Sequence, residues 1–180
     1  MFGLTFSPLW QSVLMLVHPA PRYVAPQPWH RGANSGARYP DWRLRDPEAT
    51  RRLIDAPVAG LLFDVEENDF WWNAWGPPPA TNAQRLQVAS RELANVPRLT
   101  PLWGHWYIAD SDDSPVFSIV QADLYIPAVT LAGLPTGQSQ DSVPAHEYPI
   151  GAVPFWSDLH AYSQLGHEHG PFGSLGTGGL

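Results

Sequence analysis

Apolar positions recur with helical spacing in four places along the chain. After Ser7-Pro8, where a capping hydroxyl precedes a proline at the first helical position, Leu9, Val13, Leu16 and Val17 form a stripe that ends at His18-Pro19. Asp46-Pro47-Glu48 opens a second helix with Ala49/Leu53 and Thr50/Ile54 as i,i+4 pairs, and Pro57 is its expected stop. A third is capped near Thr81 or Asn82, carries Leu86, Ala89, Leu93 and Val96 on one face, and stops at Pro97. The last runs from Trp156 to Leu165, with Gly166 as its C-cap.

Between these the period changes to two. Leu61, Phe63 and Val65 alternate with Leu62, Asp64 and Glu66, and Glu67-Asn68 leads into Asp69-Phe70-Trp71-Trp72, a pattern that predicts a β-hairpin. Leu102 to Ile108 alternates as one strand. Val116–Gln121 and Asp123–Ile126 are further strands on either side of a short turn. The expected architecture is α+β, with a mostly antiparallel central sheet of about five to six strands flanked by helices. Residues 1–165 make one domain, with a Pro/Gly/Arg loop at 19–40 and a second loop at 133–151. Residues 166–180 are expected to be a disordered Gly/His-rich tail. No internal repeat is present.

Length agrees with one domain. A chain of 180 residues removes roughly 70% of its unfolded surface from water and needs no covalent staple to fold. Cysteine is absent, which excludes disulfides, thiolate metal sites and a Cys nucleophile. The longest early apolar run, Val13 to Val17, is too short to span a bilayer and has no basic residues before it, so the expected location is cytoplasmic, away from membranes.

Charge is divided along the chain. Every basic residue is Arg, and residues 1–98 hold ten of them against nine acids, a net of +1. Residues 99–180 hold eight acids and no basic residue, a net of −8. Such a half-chain cannot neutralise phosphates and does not suit nucleic acid, but it would steer a basic protein. Acidity also keeps an aromatic-rich domain soluble without any partner.

Catalytic motifs are sparse. Asp64 and Glu66, placed on one strand face, with His105 on a neighbouring strand, could hold a hard cation or act as an acid/base pair in a small metal-dependent hydrolase. Hairpin acids ordinarily serve as solvated edge protection, so the pair alone makes no site. His160, His167 and His169 lack the fixed geometry of a metal centre. Gly170-Pro171-Phe172-Gly173 follows no strand and opens no helix, and no nucleophile-elbow motif occurs. No cofactor is expected. The strongest local signal is aromatic: Phe70-Trp71-Trp72 with Trp75, Trp103 to Tyr107, and Phe155-Trp156. Most of the nine tryptophans are expected to pack the interior, with one or two exposed for a partner or a stacked ligand.

Several motifs follow in order: Tyr39-Pro40-Asp41-Trp42-Arg43, Gly60 to Glu66, Phe70-Trp71-Trp72, Trp75-Gly76 with Pro77 and Pro79, and Ala83-Gln84-Arg85-Leu86. Taken together they resemble the bacterial branch of the SUKH superfamily, relatives of the Smi/Knr cell-wall-assembly regulators. Val96 to His105, Pro115 to Asp123 and Val153 to Leu159 continue the similarity, which covers residues 2–126 and 153–160. Departures are the longer insertion at 19–38, Trp106 where relatives carry Arg, and Ala122 where they carry a small polar residue. The family begins with a helix ahead of an Arg-Phe-Gly-like stretch. Met1 to Pro8 starts inside that stretch, so the resemblance implies that the first helix is missing.

The resemblance implies a non-enzymatic interaction module. In bacteria such proteins are immunity partners of polymorphic toxins, often nucleases, and in fungi they are signalling scaffolds. The family supplies no catalytic residues to carry over. The implied partner is a basic toxin or nuclease domain. The expected contact surface comprises Asp64, Glu66, Trp75, His105, Trp106, Asp110, Asp112, Asp113 and Asp123.

Overall fold

A computed structural model describes residues 2–16, 40, 42–43, 46–136 and 152–164. The loop expected at 19–40, all but Pro40, most of the loop at 133–151 and the tail at 166–180 lie outside the described residues.

Helix α1 spans Pro8–Leu16, and Ser7 Oγ accepts a hydrogen bond from the Trp10 N–H at 3.2 Å, as its capping role requires. Helix α2 spans Pro47–Glu67, with Asp46 Oδ1 accepting from the Ala49 N–H at 2.9 Å. It runs straight through Pro57, where the sequence predicts a stop, and takes in the residues expected to form a strand. A proline inside a helix removes one hydrogen bond and crowds the preceding turn. Burial offsets that cost: Ile54, Pro57, Leu61, Asp64 and Val65 lie inward at helical spacing. Leu61 and Val65 share a face because they are four apart, while Phe63 points outward and is 48% exposed. Asp69, at a φ of 55°, ends the helix in the left-handed conformation, and the Phe70 N–H returns to the Asp64 carbonyl at 3.0 Å.

Phe70 to Trp72 are buried and extended but belong to no strand, and a single 3₁₀ turn follows at Asn73–Trp75. The expected hairpin at 61–72 is therefore a helix end and a buried connector. Helix α3 spans Asn82–Leu93, with Thr81 as its cap.

Strands β1 (Thr100–Trp103), β2 (Trp106–Ile108), β3 (Val116–Val120) and β4 (Asp123–Ala128) form one antiparallel meander in the order β1-β2-β3-β4. The described residues thus contain four strands in place of five to six. The strand expected at 102–108 is two strands, because Gly104 takes a φ of 58° and reverses the chain at Gly104-His105. Both edge strands carry a proline, Pro101 in β1 and Pro127 in β4, which weakens each edge as a template for another strand. A second 3₁₀ segment, Leu131–Thr136, precedes the undescribed loop, and helix α4 spans Trp156–Gln164.

Each face of the sheet has its own core. Tyr107, Phe117, Ile119, Leu124 and Ile126 pack with Leu61 and Val65 of α2, Leu93 of α3 and Trp156 and Leu159 of α4. On the opposite face Trp10 of α1 packs with Leu102, Ile108, Val116 and Ala128. Among the described residues no helix is long and apolar enough to cross a membrane.

Candidate functional site

The meander sorts the expected contact residues by where the chain turns. Asp110, Asp112 and Asp113 lie exposed in the β2–β3 turn, at one end of the sheet. His105, Trp106 and Asp123 lie at the other end, where the β1–β2 and β3–β4 turns sit side by side. The five residues of β3 separate the two ends by about 17 Å. The acidic stretch 110–123 is consequently two sites and not one surface.

At the first end one acid has an internal task. Asp112 Oδ1 accepts a hydrogen bond from the Leu9 N–H at 2.8 Å and so anchors the start of α1. Ser114 Oγ accepts from the Ala109 N–H at 2.9 Å and closes the same turn. Asp110 and Asp113 remain outward.

The other end has a different chemistry. Register places Trp103 opposite Trp106, Trp106 opposite Ser118, and Ser118 opposite Tyr125, so one row crosses all four strands on the α1 face. The Trp103 and Trp106 rings meet edge to face at 5.3 Å. The next row holds Val120 opposite Asp123. The buried contacts of α1 are to Leu102, Ile108, Val116 and Ala128, and Trp103, Val120 and Tyr125 stay 38%, 52% and 36% exposed. None of these three belongs to the sequence-based contact set, although Trp103 lies in its aromatic signal; Val120 and Tyr125 carry no signal of their own in it. Their alternation with Ile119 and Leu124 was the signal, readable only once β3 and β4 are known to have one incompletely covered face.

Asp64, Glu66 and Trp75 do not join this end as surface. Asp64 is buried, and its Oδ2 accepts from the Ala122 N–H at 2.7 Å while Oδ1 accepts from Asn68 Nδ2 at 2.6 Å. Glu66 is exposed on α2, and two residues along a helix is about 200° of rotation, so the shared face expected of Asp64 and Glu66 does not exist. Among the described residues no group of three or more His, Asp or Glu could hold a metal ion. Trp75 is half-buried and packs on Phe70 and Trp71 with ring centroids 6.0 and 5.3 Å apart.

A cleft of about 270 Å³ opens between α2 and the segment after α3, lined by Ile54, Val58, Leu62, Leu99 and Trp156 with Asp55 and Arg98 beside them. It falls below the roughly 300 to 1,000 Å³ of ordinary small-molecule pockets. Comparison with protein-family models, with curated proteins and with solved structures finds no match to this chain.

Proposed function

We propose that the protein is a non-enzymatic, protein-binding module of the SUKH type, acting as an immunity partner of a toxin or as a related scaffold, with a basic domain as its partner. The observation that carries this reading is the turn end of the sheet, where Trp103, Val120 and Tyr125 stand partly exposed on one face beside Asp123. Aromatic side chains bring large contact area at low entropic cost, and anchors of this type dominate interface energetics. From Leu99 onward the chain offers no Lys or Arg, and the charged side chain bordering the patch is the carboxylate of Asp123. Such a surface attracts a basic domain and repels nucleic acid. The resemblance of the ordered motifs to those of SUKH proteins supports the same reading.

The test is binding to a purified basic toxin domain encoded beside this chain, measured by calorimetry over a range of salt. Affinity is expected to fall as salt rises, and Val120→Arg, at a position already 52% exposed, is expected to lower it at least tenfold while the fold persists. Lack of binding, or binding indifferent to both salt and Val120→Arg, would overturn the proposal.

A further inference from the structure

The cleft of about 270 Å³ between α2 and the segment after α3 lies on the side of the sheet opposite α1, where Leu62 and Val96 pack against the larger core. It exists because small side chains meet there. Ala59 on α2 and Ala94 at the end of α3 leave space that Leu62 and Val96 do not fill. Its frame is fixed in advance. Pro57 and Pro97 hold their own φ angles, and the Trp156 indole N–H donates to the Pro97 carbonyl at 2.8 Å. An apolar cavity of about 150 Å³ accepts a benzene ring, so this cleft has room for one large apolar side chain and the peptide unit that bears it.

Opposite charges stand on its two walls. Asp55 is exposed on α2, and Arg98 is exposed on the segment after α3. Among the described residues they form no ion pair with each other, and the Asp55 carboxylate has no hydrogen-bond partner. Arg98 Nη1 donates to the Phe2 carbonyl at 2.9 Å, which holds the guanidinium in place and leaves its other N–H groups for a ligand. A carboxylate only accepts and a guanidinium only donates. A peptide backbone meets both demands at once, because each residue carries one N–H and one C=O. A simple anion or cation would be attracted by one wall and repelled by the other.

We infer that this cleft holds one large apolar residue of a peptide segment from a protein partner. The side chain fills the space beside Ala59 and Ala94, the backbone N–H donates to Asp55, and the backbone C=O accepts from Arg98. The inference rests on the reading of the chain as a protein-binding module and gives it a second anchor, across the sheet from Trp103, Val120 and Tyr125.

The probe is Nα-acetyl-phenylalanine N-methylamide, titrated into the full chain while the indole N–H resonances are followed by NMR. A saturable shift of the Trp156 signal is expected, with none for Nα-acetyl-aspartate N-methylamide. Ala59→Trp fills the cleft from an exposed position and is expected to abolish the response. Asp55→Ala is expected to weaken it about fivefold, with the remaining indole signals unmoved. No saturable shift, a response that survives Ala59→Trp, or a stronger response to free phenylalanine would overturn the peptide site. The two proposals fail separately. A response lost in Ala59→Trp and kept in Val120→Arg supports the cleft whatever the sheet end binds, and the reverse pattern refutes it.

Discussion

The carboxylate of Asp64, on α2, accepts a 2.7 Å hydrogen bond from the backbone N–H of Ala122, 58 residues further along the chain in the β3–β4 turn. That bond fastens the long helix to the end of the sheet on which the proposed contact face stands. Asp64→Ala is expected to leave the buried Ala122 N–H without an acceptor and to cost about 2–3 kcal/mol, read from the urea unfolding midpoint. A change within about half a kcal/mol would mean that the turn holds itself.

Gly60 works beside it, one helical turn earlier. A Cβ at Gly60 would come within 3.0 Å of Gln121 Cα and 3.2 Å of its backbone nitrogen, where Gln121 itself holds a φ of 58°. In an isolated helix, alanine in place of glycine gains about 1 kcal/mol. Here the contact is with backbone that cannot rotate aside, so Gly60→Ala is expected to destabilise by about 1–2 kcal/mol. Thermal unfolding of the variant measures the sign.

Burial in β2 pushes the Tyr107 hydroxyl up from 10.0 to about 12. The unfolded chain therefore loses this proton first as the pH rises. Stability from this group is fully present below pH 10 and declines between pH 10 and about 12, by roughly 2–3 kcal/mol in total. Tyr107→Phe is expected to flatten that decline, as seen in denaturant midpoints collected across the window.

Asp112 and Asp110 sit two residues apart in one exposed turn yet differ in role. Asp112→Ala removes the acceptor for the Leu9 N–H and is expected to cost about 1 kcal/mol with some loss of helical signal. Asp110→Ala is expected to leave stability unchanged within about 0.5 kcal/mol, by the same denaturant titration.

Capping and turn chemistry made much of the fold readable in advance. Ser7-Pro8, Asp46-Pro47 and Thr81 each place a helix start where the structure has one, and the strands of β3 and β4 fall where β-branched and aromatic residues alternate. These signals act within three or four residues, so no knowledge of the rest of the chain is needed to use them. Of the eight tryptophans in the described residues, half are buried where most were expected to be, and Trp42, Trp75 and Trp106 are half-buried. Trp10, Trp71, Trp72 and Trp156 are buried, and Trp103 is the most exposed.

Residues 57–67 are the counter-example, because Pro57 and the alternation of Leu61, Phe63 and Val65 are locally correct signals for a break and a strand. Only tertiary packing decides for helix there. Leu61 and Val65 bury against the sheet, and Asp64 finds its donor in a turn that does not exist until β3 and β4 have paired. The same holds for the acids. Composition established that the second half of the chain is negative throughout, whereas the meander decided that Asp112 anchors a helix and Asp123 borders an aromatic face some 17 Å away. Charge is a property that residues carry with them. Whether a charge caps, pairs or faces solvent depends on neighbours brought from distant parts of the chain.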